Sequence, residues 1–181
     1  MNDANIELTS TRRAWIVVER SIGIILLLWS IFVFYSVVST IAEMFRSGFM
    51  ATGKITFSSI VVNNHFNIIL SALCVFGSCM LLYKDRTGWM LCVISSLIFG
   101  ITLFISSRSK ASDSTLPLAN YYKSYGVTAV LFFLIFILLL LKPIRERYKP
   151  TSKTWLWVTG IILLLVIDKI IFWAIVFVKN I

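Results

Sequence analysis

Histidine occurs once in this 181-residue chain, proline and cysteine three times each, and only eight residues are acidic. Each scarcity removes a class of protein. A histidine-based metal site or a Ser/His/Asp triad needs more convergent partners than surround His65, which stands in Asn63-Asn64-His65-Phe66 and reads as an interfacial residue. Cys74, Cys79 and Cys92 all lie inside apolar runs, so an extracellular disulfide framework is not expected. Charged residues make up 14% of the chain, against about 25% in a soluble domain, which excludes an ordinary water-soluble enzyme. The sequence has no Gly-rich phosphate loop, HExxH, GxSxG or N-x-S/T sequon, and no internal repeat that would suggest an inverted-repeat transporter. The expectation is a non-enzymatic protein with no cofactor and no metal.

What the chain has in abundance is apolar surface, 59% of its residues, with a mean hydropathy of +0.90. A helix crossing a hydrocarbon core of about 30 Å needs roughly 20 apolar residues, because every backbone polar group must be satisfied within the helix. Five segments approach this length: 21–41, 66–83, 88–105, 121–141 and 155–178. The predicted fold is therefore all-α, a polytopic transmembrane helical bundle of about five spans forming a single integral membrane domain. Only Lys84, Asp85, Arg86 and Thr87 separate spans two and three, which makes a tight hairpin. Pro143 closes span four. Thr40 and Ala42 also allow span one to be read as a cleaved signal, but its apolar run exceeds the usual h-region of about 7–15 residues.

Basic residues set the expected orientation. With the N-terminus inside, Arg12, Arg13, Arg20, Lys84, Arg86, Lys142, Arg145, Arg147, Lys149 and Lys153 face the cytoplasm. Arg46, Lys54, Arg108, Lys110, Lys123 and Lys179 face out. This predicts a plasma (inner) membrane protein, N-in and C-out. Arg145, Arg147, Lys149 and Lys153 form the densest basic group and are expected to contact anionic lipid headgroups. The net charge of +9 is thereby explained by topology, and nucleic acid is not an expected partner, since no aromatic platform accompanies the charges.

Helices in lipid approach closely through small side chains. Ser71, Cys74 and Ser78 share one face of span two, and Cys92, Ser96 and Gly100 share one face of span three. An antiparallel hairpin sets Ser78 level with Cys92, Cys74 with Ser96, and Ser71 with Gly100. The same arithmetic brings Cys79 and Met80 near Met90 and Cys92; such sulfurs suit copper(I), but without a CxxC or CxxxC spacing they are read as packing. Span four is nearly pure Leu, Phe and Ile from Val130 to Leu141 and is expected at the lipid-facing periphery. The apolar segment from Ala42 to His65 reads as an interfacial cover, with strand-like alternation over Lys54-Ile55-Thr56-Phe57-Ser58, and the polar segment from Ser106 to Asn120 as a solvated loop.

Asp168 and Lys169 are the ionisable acid and base nearest the centre of any span. Neighbours on a helix point about 100° apart, so they make a poor pair with each other, and each needs another partner. Tyr35 and Ser36 are the expected partners of Asp168, and Trp173, one turn on, of Lys169. Two functional expectations follow. One is an accessory, assembly, immunity or regulatory subunit acting through helix and loop contacts with another membrane protein. The alternative is a homo-oligomeric pore or transporter lined by the charges of the last span.

Overall fold

A computed structural model describes residues 3–46, 57–111 and 119–179, with side chains described for 13–43, 45–46, 64–107 and 125–171. Among the described residues there are six helices and no strand: α1 (Asp3–Arg46), α2 (Phe57–Leu82), α3 (Arg86–Ala111), α4 (Ala119–Leu140), α5 (Lys142–Tyr148) and α6 (Ser152–Lys179). Helices α1, α2, α3 and α6 are long and apolar enough to cross a membrane, and α4 with α5 makes a fifth span if that bent pair is counted as one. The apolar runs form helices because a helix satisfies its own backbone in surroundings that offer no water.

The α2–α3 hairpin shows how the sequence makes its turn. Lys84 adopts a left-handed backbone with φ 64°. The Asp85 N–H then donates to the Met80 carbonyl at 2.9 Å, and the Lys84 N–H to that of Leu81 at 2.9 Å. This pairing satisfies carbonyls that a helix end otherwise leaves orphaned, although the left-handed position is usually filled by glycine. Asp85 next caps α3, accepting a 2.7 Å bond from the Thr87 N–H. Gly88 brings the start of α3 against α2 so closely that an added Cβ would lie 2.3 Å from the Leu81 nitrogen.

Helix α3 is the axis of the bundle and packs against α2, α4, α6 and α1. It is buried over 56% of its span, whereas α6 is buried over 17%. Trp89, Cys92, Val93, Ile94, Ser95, Ser96, Ile98 and Phe99 are all buried, so no residue from 88 to 100 is exposed, and the outward face of this helix begins with Ile101, Phe104 and Ile105. Helix α4 presses Ala129, Phe132, Ile135 and Leu139 onto α3 and exposes Val127, Val130, Leu131, Leu134 and Ile137. Its expected place at the periphery thus describes one of its faces only, and α6 is the more peripheral helix. Branched and aromatic side chains at a spacing of three and four suffice to build such a face without any small-residue stripe.

Three further boundaries differ from expectation. Residues 42–46 continue α1 and residues 57–65 belong to α2, so Phe57 and Ser58 are helical rather than strand-like; Lys54, Ile55 and Thr56 lie outside the described residues. Helix α3 runs on to Ala111, through the first six residues of the expected solvated loop. After Leu141 the chain does not enter a loop but bends by 61° into α5, where Pro143 occupies the first turn, a place with no amide to lose. The bend orphans carbonyls at the end of α4, and the buried Trp89 indole Nε1–H donates to one of them, that of Leu139, at 2.9 Å. The end of the bundle that carries the α2–α3 turn and α5 is called the turn end below, and the opposite end the far end.

Candidate functional site

At the far end, two consecutive residues of α2 meet two consecutive residues of α6. His65 Nε2 lies 3.0 Å from Oδ2 and 3.3 Å from Oδ1 of Asp168. Lys169 Nζ stands 4.6 Å from the centroid of the Phe66 ring. Neighbouring residues on each helix point about 100° apart, so one helix crossing can serve both residues by different means, a side-chain hydrogen bond for the acid and a ring face for the base. The expected partners are not the ones used: Tyr35 is 69% exposed, and the acid faces His65. The side chain of Trp173 lies outside the described residues, and the described aromatic partner of Lys169 is Phe66. With partly exposed side chains (27% for His65, 36% for Asp168), the pair sits at the edge of the bundle rather than in its core.

At the turn end, a second polar cluster is buried more deeply. Glu19 of α1 is 2% exposed. Its Oε2 accepts from Arg147 Nη1 at 2.5 Å and its Oε1 from the Tyr148 hydroxyl at 2.6 Å. Arg86 Nε donates to the Tyr148 carbonyl at 3.1 Å, and the Tyr148 ring stacks near Trp89, which meets Trp155 edge-on. The Tyr148 hydroxyl, buried with Glu19, serves the carboxylate as a neutral donor. The cluster ties α1, α3, α5 and α6 together around one carboxylate, a role that the sequence reading did not give to Glu19.

Of the four basic residues expected at anionic headgroups, Arg147 is engaged by Glu19, and Arg145, Lys149 and Lys153 are exposed. All six residues of the two small-residue stripes are buried, but they face different neighbours. Ser78 lies beside Cys92 across the α2–α3 seam. Cys74 turns its thiol to the Leu26 carbonyl of α1 at 3.5 Å and has Ser95, the neighbour of the expected Ser96, beside it. Ser96 bonds back to the Val93 carbonyl at 3.1 Å. Gly100 abuts the Phe133 ring of α4 and not Ser71, whose hydroxyl is buried without a partner. The closest backbone approach is made instead by Gly77, where an added Cβ would lie 2.8 Å from that of Leu91, and by Gly88. Both glycines lie at the spacing of the stripes, the signal that could have identified them.

Three cavities accompany these clusters. One of about 370 Å³ at the far end is lined by Trp29, Ser36, Thr40, Asn64, Asn67 and other uncharged side chains of the first four helices. One of about 390 Å³ lies between α3 and α6, apolar except for Thr102, Ser106 and Lys169. The third, about 310 Å³, opens at the turn end between the starts of α3 and α6. Among the described residues no three His, Cys, Asp or Glu side chains converge as metal ligands. No family model matches the chain, and no curated protein or solved structure proves similar to it.

Proposed function

We propose that this chain is a small non-enzymatic membrane protein of five crossings that acts as an accessory, assembly or regulatory subunit of another membrane protein. One observation carries the reading: Asp168 and Lys169 already have His65 and Phe66 as partners within the same chain. An intramembrane charge without a partner would call for a pore, a wet cavity or a second copy; a charge with an intrachain partner needs none of these and instead holds the last helix in register. Helix α6 is then positioned chiefly at three places, the far-end pair, the Trp89–Trp155 contact and the buried Val158 and Leu165. Its outer apolar face is left to lipid or to a neighbouring helix. The basic turn end faces the cytoplasm of a plasma membrane, with Arg145, Lys149 and Lys153 toward anionic headgroups.

The test is reconstitution in vesicles together with purification from native membranes. The reading expects ion and proton flux equal to that of empty vesicles, and a stoichiometric membrane-protein partner that is lost when α6 is replaced by an unrelated apolar helix. Flux that disappears in Asp168→Asn would overturn it in favour of a pore.

A further inference from the structure

The cavity at the turn end differs from the other two in gathering charge of one sign. Arg86, at the start of α3, and Lys153, at the start of α6, both line it, together with Thr87, Met90 and Trp157. These cations are far apart in sequence, and neither is ion-paired with an acid among the described residues, where Lys142 takes Glu146 and Arg147 takes Glu19. The bond from Arg86 Nε to the Tyr148 carbonyl fixes the plane of the guanidinium and leaves its terminal N–H groups for a two-pronged contact with an oxyanion. Thr87 adds a hydroxyl. The nearest acid in sequence, Asp85, is turned to its own helix, accepting from the Thr87 N–H.

We infer that this cavity binds the phosphate headgroup of a single anionic phospholipid. Free phosphate offers the same oxyanion chemistry, but the walls favour the lipid. Trp157 is exposed beside the cations at the level where the apolar run of α6 begins, the place of an interfacial aromatic. Met90 continues the wall toward the apolar part of the span, where an acyl chain would follow. A volume of about 310 Å³ is at the small end of the range of ligand sites, enough for a headgroup and not for a whole lipid. Basic pockets between spans are a known way of holding such headgroups.

This inference deepens the reading of the turn end as the lipid-facing basic surface, and its failure is separable from failure of that reading. The full chain, purified in neutral detergent and delipidated, is offered phosphatidylglycerol, phosphatidylcholine of the same chain length, or inorganic phosphate, and bound lipid is counted by native mass spectrometry. One phosphatidylglycerol per chain is expected, with no retention of phosphatidylcholine and no competition from millimolar phosphate. Arg86→Gln with Lys153→Gln lowers retention by roughly tenfold or more, whereas Arg13→Gln with Arg20→Gln, exposed on α1 and outside the cavity, leaves it unchanged. Because Arg86 also supports the Tyr148 carbonyl, Lys153→Glu alone, on an exposed side chain, must lower retention with the melting temperature unchanged. Equal retention of phosphatidylcholine, equal loss in the α1 variant, or displacement by inorganic phosphate each overturns the site, and none of them touches the flux or partner results.

Discussion

His65 of α2 and Asp168 of α6 are 103 positions apart in the chain and 3.0 Å apart in space. Their contact, with the adjoining Lys169 and Phe66, is what joins the last helix to the far end of the bundle, and it converts the most conspicuous charges in the sequence into a fastening. Helix α6 otherwise presents Leu156, Leu163, Leu164, Ile167, Ile170 and Ile171 outward. Such surfaces gain little from one another in lipid, so the polar fastening has a large share in setting its register.

The Glu19–Arg147 pair predicts an asymmetric response. Arg147 is 22% exposed at its side chain and can turn toward water, whereas Glu19 at 3% cannot. Arg147→Leu leaves a buried carboxylate without its cation and should cost about 3–5 kcal/mol. Glu19→Gln keeps an acceptor for Tyr148 and should cost less. Chemical unfolding in a constant detergent checks the order, and equal costs would show that Glu19 is hydrated.

Glycine substitutions separate close approach from flexibility. At Gly88 an added methyl meets the backbone of Met80 and Leu81 at 2.3–2.4 Å, and at Gly77 it meets the Leu91 Cβ at 2.8 Å, while nothing lies within 4 Å at Gly160. Gly88→Ala should therefore abolish folding or open the hairpin, Gly77→Ala should destabilise, and Gly160→Ala should be neutral or stabilise by up to about 1 kcal/mol through helix propensity. Thermal melts of the three variants make the comparison.

The α2–α3 turn offers a smaller test. Lys84 holds φ 64°, so Lys84→Gly should stabilise by about 1 kcal/mol, and Asp85→Ala, which removes the cap on α3, should destabilise by about 0.5–2 kcal/mol. The difference between the two melting temperatures reads both signs at once.

Much of this fold is legible in the sequence for a physical reason: a span must be long, apolar and self-satisfied in its hydrogen bonds, and the five such runs of the sequence fall on α1, α2, α3, α4 and α6. Helix α5 is not legible, because seven residues containing Pro143, Arg145, Glu146 and Arg147 have the composition of a loop, and only the buried Ile144 and Tyr148 reveal a packed face. Glu19 was hidden by the same gap, since its partners come from α5. The His65–Asp168 contact was missed through depth. With α2 read as starting at Phe66, His65 stands at the interface; with α2 starting at Phe57 it lies two turns inside a helix and within reach of the last span. The small-residue stripes mark burial correctly but do not say which helix each residue faces, because α3 has neighbours on nearly every side.

The central claim, that the charges of the last helix are satisfied within one chain, is tested most directly by a double-mutant cycle of His65→Ala and Asp168→Asn in purified protein, repeated over a hundredfold range of protein concentration. The account predicts a coupling of about 0.6–1.7 kcal/mol, the range for interhelical hydrogen bonds in membranes, unchanged by dilution. A coupling of zero, or one that vanishes as the protein is diluted, would contradict it by showing that Asp168 finds its partner elsewhere.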